Sequence, residues 1–503
     1  MKLFASHFHQ SDRCGRIRLV LPAVLMLFGA LVTAAAEGLA GSRPNIVFIL
    51  TDDQGYGDLS CHGNPILRTP NLDRLHAEGA RFTDFHVSPT CAPTRSALLT
   101  GRHEFRNGVT HTIFERERLT LDAVTLPQVL KRAGYRTGIF GKWHLGDEPE
   151  RWPDKRGFDE MLIHGAGGIG QSYPGSCGDA PGNTYFSPYL LHNGKFEKSD
   201  GYCTDVFFDG AIRWMEKAKE GGPFYCHLAT NAPHAPLQVK PEDEARYAGR
   251  VPEQTAKFFG MIANIDDNVG RLLAKLKEWR IEDRTLVVFM NDNGGTAGVS
   301  VFNAGMRGQK GSPWLGGTRA ASFWRWPGRV SAGDRTPLAA HVDFFPTVAA
   351  MAGQPLTERE QRQVEGRSLL PLLEDPAAGW PDRTLVTHVG RWERGASPET
   401  GKYAHVSVRN TRWHLVSVPA GPKKAAGTSP GKPDPRPDWQ LFDLSADRGE
   451  KNDVASAHPE VVDRLSGHFE SWWTDIQPQL VNESAVAPAE NPFKTLFRQQ
   501  IGP

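Results

Sequence analysis

Two stretches of the chain are nearly unbroken apolar runs rich in β-branched residues: Asn45-Ile46-Val47-Phe48-Ile49-Leu50 and Thr285-Leu286-Val287-Val288-Phe289-Met290. Runs of this length without polar alternation predict strands buried on both faces, as at the centre of a parallel sheet. The first stops at Thr51-Asp52-Asp53 and the second at Asn291-Asp292-Asn293-Gly294-Gly295, so both end in carboxylates and amides. Between them the period changes. Thr125-Leu126-Pro127-Gln128 reads as a capping box with Pro in the first turn, and Gly134 closes that helix. Residues 135–140 predict a strand that runs into Gly141-Lys142-Trp143-His144-Leu145-Gly146. Phe258, Phe259, Ile262, Ile265, Val269, Leu272, Leu273 and Leu276 recur at helical spacing and predict a long helix with a core-facing stripe. Strands alternating with helices predict a layered α/β domain, in which ligands gather beyond the carboxyl ends of the strands. Asp52, Asp53, Asp292 and Asn293 belong there.

Residues 165–203 are rich in Gly and turn formers and predict a long surface loop near the rim of such a site. Past about residue 380 the texture changes. Short strands are expected at 384–389, 405–408, 413–418 and 439–444, and an amphipathic helix at 461–472. The Pro-, Gly- and Lys-rich stretch 419–438 reads as a mobile loop. These boundaries give a main α/β domain at 37–380 and a smaller α+β domain, built on a short antiparallel sheet, at 381–503. Residues 1–36 stand apart. Arg13, Arg16 and Arg18 precede a 14-residue apolar run (19–32) and Ala34-Ala35-Ala36, the pattern of a cleaved export signal. The run falls short of the ~20 residues that span a bilayer, so no membrane span is expected in the mature chain.

Composition narrows the function without naming it. Lys plus Arg number 58 and Asp plus Glu 57, a formal net charge of +1, which excludes a global polycation built to hold nucleic acid. Five cysteines remain after the signal: Cys61, Cys91, Cys177, Cys203 and Cys226. An odd number in an exported chain leaves at least one with a task other than pairing. Cys177 and Cys203 share the irregular loop and are the expected pair, which leaves Cys61 and Cys226 reduced.

The sharpest local motif is Cys91-Ala92-Pro93-Thr94-Arg95, followed by Thr100-Gly101-Arg102. Alone it suits a buried structural cysteine beside a surface arginine; its company changes that reading. Two acid-bearing strand ends supply only oxygen donors, which suit calcium or magnesium and not zinc. Lys142 and His144 sit two apart in a Gly-flanked turn and can face one cavity. His234 lies between two prolines in Ala232-Pro233-His234-Ala235-Pro236, and Lys310 lies between glycines that allow close ligand approach. Cations grouped around a divalent metal make a pocket for a tetrahedral oxyanion, a sulfate or phosphate ester.

Together these residues resemble the type I sulfatases of the alkaline-phosphatase superfamily. The likeness runs from about Arg43 to the final helix. It covers Arg43-Pro44-Asn45-Ile46-Val47, Thr51-Asp52-Asp53, the Cys91–Arg95 motif, Gly141 to Gly146, Asp292-Asn293-Gly294, Lys310, Gly316-Gly317 and Trp326-Pro327-Gly328. It ends at Leu441-Phe442-Asp443-Leu444 with Asp447, Glu450 and Asn452. The resemblance implies an alkaline-phosphatase-like fold, a large mixed and mostly parallel sheet flanked by helices, with 37–380 as the catalytic domain. It implies that Cys91 is converted to formylglycine by a maturation enzyme. It implies that Asp52, Asp53, Asp292 and Asn293, with the hydrated aldehyde at Cys91, hold one metal ion; about six oxygen ligands favour calcium over magnesium. By the same resemblance Arg95 steadies the hydrate, Lys142 and Lys310 grip sulfate oxygens, His144 is a base, and His234 with Lys310 protonates the leaving oxygen. Leu315 stands where many relatives carry an acid, and Asn291 where Ser or Thr is common.

The expected activity is hydrolysis of a sulfated carbohydrate or aryl sulfate by a periplasmic or secreted enzyme. Two rivals remain: a phosphonate or phosphate diester hydrolase of the same superfamily, and a glycan-binding relative without activity. The second requires a broken site, and none of the ten positions Asp52, Asp53, Cys91, Arg95, Lys142, His144, His234, Asp292, Asn293 and Lys310 is lost. Aromatic faces pack on sugars, so the 13 tryptophans and the 165–203 loop suit a sugar-binding rim.

Overall fold

A computed structural model of the chain describes residues 38–417 and 438–502. The expected export segment and nearly all of the expected 419–438 loop lie outside them. Both apolar runs form strands. Five parallel strands make the centre of a ten-stranded sheet: β1 (Asn45–Thr51), β2 (Arg136–Lys142), β3 (Glu160–His164), β4 (Phe224–Ala229) and β5 (Thr285–Asn291). Their spatial order is β5-β1-β4-β2-β3. The antiparallel strand Ser322–Arg325 continues the sheet beyond β5, which makes it mixed.

Every residue of β1, β4 and β5 is buried, because helices cover both faces. Side chains alternate across a strand, so Ile46, Phe48 and Leu50 meet Leu98, Leu99, Val129 and Phe344 on one face. Val47 and Ile49 meet Leu72, Phe208, Met261 and Ile265 on the other. The stripe from Phe258 to Leu276 lies in the helix Glu253–Glu278, and the Thr125 capping box opens the helix Leu126–Arg132.

Two expectations are corrected. The 165–203 stretch is not irregular throughout: Tyr189–His192 and Lys195–Lys198 form a hairpin paired antiparallel to β3. Its turn is Asn193-Gly194, both at positive φ (48° and 85°), the dipeptide that favours tight hairpins. Cys177 and Cys203 are not bonded; all five cysteines of the described residues are free. Cys203 opens the helix Cys203–Ala218 and packs in the apolar layer under β1, whereas the Cys177 thiol meets the carbonyl of Phe114 at 3.5 Å.

Past residue 380, strands Leu385–His388, Val406–Arg409, Trp413–Ser417 and Trp439–Asp443 form a four-stranded antiparallel sheet. The helix Pro459–Ile476 packs on it through Val461, Leu465, Phe469 and Trp473. Glu450, fully buried, ties this sheet to the larger one: it accepts a hydrogen bond from Leu315 N (3.0 Å) and meets His414 Nδ1 at 2.6 Å. An acid therefore does stand beside Gly316-Gly317, supplied from a distant segment instead of from position 315.

The register sets the height of the site. Leu50 pairs with Ala229 and Met290, and Ala229 pairs with Gly141, so these four residues form one line across the sheet. The chain leaves that line at Asp52, Asp292 and Lys142. At Gly141, φ is 116°, and a Cβ would sit 1.8 Å from Ala229 O. Glycine is therefore required there for Lys142 to emerge at the same height as the acids. Gly141→Ala should destabilise the protein by more than about 2 kcal/mol, since it combines a strained backbone with a clash against the neighbouring strand. Urea unfolding of the two proteins checks this; an unchanged midpoint would show that the β2–β4 register is not held at Gly141.

Candidate active site

The ends of β1 and β5 bring three carboxylates into one dry space. Asp52, Asp53, Asp292 and Asn293 are all buried. Asp292 N donates to Thr51 O (3.0 Å) and Asp53 N to Asp292 Oδ1 (3.2 Å), so the two strand ends are laced together by one backbone bond and one to a site carboxylate. Asp53 takes a left-handed turn (φ 66°), which sets its side chain apart from that of Asp52. Asn293 Nδ2 donates to Asp53 Oδ1 (3.0 Å).

Cys91 is the first residue of the buried helix Cys91–Thr100. Arg95 follows one turn later on the same face, which is the physical reason for the four-residue spacing. Its guanidinium bridges Asp292 Oδ2 (2.7 and 3.2 Å) and the carbonyl of Lys142 (3.1 Å). Thr100-Gly101-Arg102 has a different task. Gly101 closes the helix at φ 70°, and Arg102 is held by Asn107. The positive end of the helix dipole faces Cys91. Burial alone would raise its thiol, but Lys142 and Lys310 draw it below its ordinary value.

Lys142 Nζ meets Asp52 Oδ2 at 2.5 Å, with neither side chain exposed. Lys310 Nζ meets both oxygens of Asp53 (2.6 and 2.7 Å). His234 Nε2 lies 3.7 Å from Asp53 Oδ2, and its Nδ1 donates to Ala235 O (2.6 Å). His144 stands at φ 58°, where its Nε2 donates to Thr112 O (2.8 Å) and lies 3.1 Å from Glu117 Oε2. That hydrogen bond places the proton on Nε2 and leaves Nδ1, buried and without a partner, as the free acceptor. Nine of the ten positions singled out in the sequence are thus joined by short contacts, and His144 is linked to them through the charge of Lys142.

Three carboxylates face three basic side chains, Lys142, Arg95 and Lys310. The acids respond unequally. Burial would raise Asp52, but Lys142, His234 and Arg95 hold it well below the usual carboxylate range. Asp292 goes the other way: burial and then the charge of Asp52 raise it, with Arg95 offsetting only part. Two buried acids that cannot share charge comfortably are what a divalent cation resolves. Two buried oxygens, Asp52 Oδ1 and Asn293 Oδ1, accept no hydrogen bond from the described residues. Donor atoms of Asp52, Asp53 and His234, and of Asp52, Cys91 and Asp292, lie within 4.8 Å of one another. The donor chemistry fits a hard cation held by Asp52, Asp53, Asp292 and Asn293.

The sequence did not point to the supports behind His144. Glu117 is fully buried, and burial raises its carboxyl above the ordinary value despite His144. Gly167 packs so closely that a Cβ there would lie 2.7 Å from His144 Cε1 and Nε2. The glycines of the 165–170 stretch are therefore partly room for an imidazole. Asp147 and Asp179, each taking two backbone N–H groups, fix the same loop. A glutamate 27 residues from its histidine carries no spacing signal, so only the fold could reveal the pair.

Comparison with known proteins gives a consistent picture. The family model described as Sulfatase matches residues 44–354. Arylsulfatase A of Homo sapiens is 33% identical over 474 residues, covering 87% of this chain and 89% of that protein. N-acetylgalactosamine-6-sulfatase of Homo sapiens is 33% identical over 362 residues, 66% of this chain and 66% of that protein. Among solved structures, Ps i-CgsB in complex with k-i-k-neocarrahexaose superposes with a TM-score of 0.75 at 29% identity, covering 91% of this chain and 97% of that one.

The crowded carboxylates generate a prediction that needs no activity. Stripping divalent cations should lower the unfolding temperature, and restoring them at about 100 times their dissociation constant should return about 2.7 kcal/mol. Asp292→Asn relieves the repulsion and takes one negative charge from the donor set, so its stability should depend less on the cation. Calorimetric scans with and without chelator check this; identical scans would show that the acids are satisfied by Lys142, Arg95 and Lys310 alone.

Proposed function

The chain belongs to the sulfatase family and is a sulfuric ester hydrolase; from that premise we propose that it releases inorganic sulfate from a sulfated carbohydrate or aryl sulfate through Cys91 converted to formylglycine. The observation that carries this reading is the meeting of Cys91, at a helix N-terminus, with Lys142, Lys310 and three buried carboxylates. As its hydrate the aldehyde would supply one hydroxyl to attack sulfur and a second whose deprotonation restores the carbonyl and expels sulfate. Asp52, Asp53, Asp292 and Asn293, with an oxygen of the modified Cys91, would hold one calcium ion, which when bound supplies fixed positive charge facing the ester. Magnesium is the weaker candidate, because it keeps several waters where this set offers protein oxygens.

The chain's own side chains have separable tasks. Arg95 would hold the modified Cys91 while pinned to Asp292. Lys142 and Lys310 would bind sulfate oxygens, each already held in place by an aspartate. His144 would take a proton at Nδ1, with Nε2–H fixed on Thr112 O. His234, near Asp53, would deliver a proton to the departing oxygen.

A sulfated carbohydrate is favoured by the name of the human relative and by the oligosaccharide bound to Ps i-CgsB. Export through residues 1–36 to the periplasm or medium, maturation by a formylglycine-generating enzyme, and a catalytic domain ending near residue 380 belong to the same reading. Among the described residues no helix is long and apolar enough to cross a membrane.

Turnover of 4-nitrophenyl sulfate against bis(4-nitrophenyl) phosphate tests the reaction class. The sulfate ester should be cleaved faster by at least about a hundredfold, the scale of one well-placed electrostatic contact. A faster diester would favour the phosphodiesterase alternative. The two histidines should also fail differently. Each alanine variant should lose about 10²–10⁴ in rate. The His234→Ala loss should shrink as the leaving alcohol becomes more acidic, because a stable phenolate needs no proton. The His144→Ala loss should be the same across the series. Aryl sulfates of graded leaving-group pKa decide this, and parallel slopes in the two variants would reverse the assignment.

A further inference from the structure

One arginine of the C-terminal segment, Arg391, reaches the rim of the site and has no acidic partner among the described residues. Gly390 and Arg391 are consecutive left-handed residues (φ 67° and 64°), a conformation that costs a non-glycine residue about 1–3 kcal/mol. The structure enforces it from both sides. A Cβ on Gly390 would lie 2.0 Å from Thr110 O, so the chain here presses directly on the main domain. Trp392 is buried beneath the Arg116 guanidinium (4.5 Å to the ring centre). Arg116 donates to Trp392 O (2.7 Å), and Trp392 Nε1 donates to Glu483 (2.7 Å). Arg391 is thereby aimed across the segment boundary.

Its guanidinium touches two loops of the site at once. Nη2 donates to Thr112 Oγ1 (3.2 Å), and Thr112 is the residue whose carbonyl holds His144. Nη1 lies 4.0 Å from the place a Cβ would take on Gly311, the neighbour of Lys310. Gly311 N in turn donates to Pro89 O (2.8 Å), two residues before Cys91. Among the described residues no carboxylate lies within 4.0 Å of this guanidinium. Arg394, three residues on, is different: it meets both oxygens of Glu115 at 3.0 Å and lies over Phe114. Of two neighbouring arginines, one is paired with a protein carboxylate and the other stands beside a pocket whose own cations are each paired with an aspartate. Arg391 is exposed, so its charge is open to an anion arriving with the substrate.

We propose that Arg391 is an anion subsite beside the sulfate pocket, so that the preferred substrate carries a second anionic substituent, a sulfate or a carboxylate, on the alcohol that departs. This deepens the sulfatase reading and rests on it. A planar guanidinium with most of its donors free suits either group bidentately. A lone aryl sulfate fills the main pocket and leaves Arg391 unused. A polysulfated or uronate-containing saccharide engages both.

Direct binding keeps the test independent of turnover. Calorimetric titration would use inorganic sulfate, sucrose octasulfate and trigalacturonate as probes. The proteins are the wild type, Arg391→Asn (whose side chain tolerates left-handed backbone), Arg391→Glu, and Lys277→Glu at the far end of the sheet as a charge control. Both Arg391 variants should weaken at least one saccharide by about tenfold or more, the scale of hydrogen bonds to a charged group, with inorganic sulfate unchanged. Loss of sucrose octasulfate alone identifies a second sulfate, and loss of trigalacturonate alone a carboxylate. The proposal is overturned if the wild type binds neither saccharide. It is equally overturned if the Arg391 variants shift them by no more than Lys277→Glu does. A wild type inactive on every sulfate ester, 4-nitrophenyl sulfate included, would instead remove the reading of the previous subsection.

Discussion

The pairing of Asp52 with Lys142 is the constraint on which the rest of the site depends. Two ions meet at 2.5 Å with no side-chain surface in water. Desolvating each costs several kcal/mol, and an apolar pair of similar volume would stabilise a fold as well or better. The sheet is built to bring them together all the same. Gly141 lets β2 press against β4, the common register ends β1 and β2 at one height, and Arg95 ties the Lys142 carbonyl to Asp292. Break this pair, and the remaining acid or base is an uncompensated charge in the core.

The same economy recurs around it. Each cation able to hold an anion is itself held by an acid able to hold a cation: Lys142 by Asp52, Lys310 by Asp53, Arg95 by Asp292. A site made this way is ordered before ligand arrives, which is what electrostatic preorganisation requires. The second sheet contributes at a distance. Glu450 anchors the turn before Gly316-Gly317, and the 389–392 turn sets an arginine at the mouth. The C-terminal segment therefore meets the site from its edge, while the ten site residues all come from the chain before residue 311.

Much of this was legible in the sequence, for identifiable reasons. Asp52, Asp53, Asp292 and Asn293 follow unbroken apolar strands, so their position at the carboxyl edge follows from periodicity. Cys91 and Arg95 share one helical turn, and Lys142 and His144 one Gly-flanked bend. Each of these is a local pattern. What escaped is long-range or depends on shape. Glu117 reaches His144 across a loop, Glu450 supplies from far downstream the acid missing at 315, and Arg391 is positioned by Gly390 pressing on Thr110. The Asn193-Gly194 turn was a readable hairpin signal obscured by the glycine-rich stretch before it. Compartment and a shared loop suggest a Cys177–Cys203 pair, but neither sets a distance between two thiols, and both are free.

The central claim is that the electrostatic pocket around Cys91 serves a modified side chain and not a thiol. Mass spectrometry of the tryptic peptide containing Cys91, run on preparations of differing specific activity, tests it most directly. The account predicts an aldehyde in place of the thiol, in a fraction that rises in proportion to sulfatase activity. A fully active preparation whose Cys91 is entirely unmodified would contradict it.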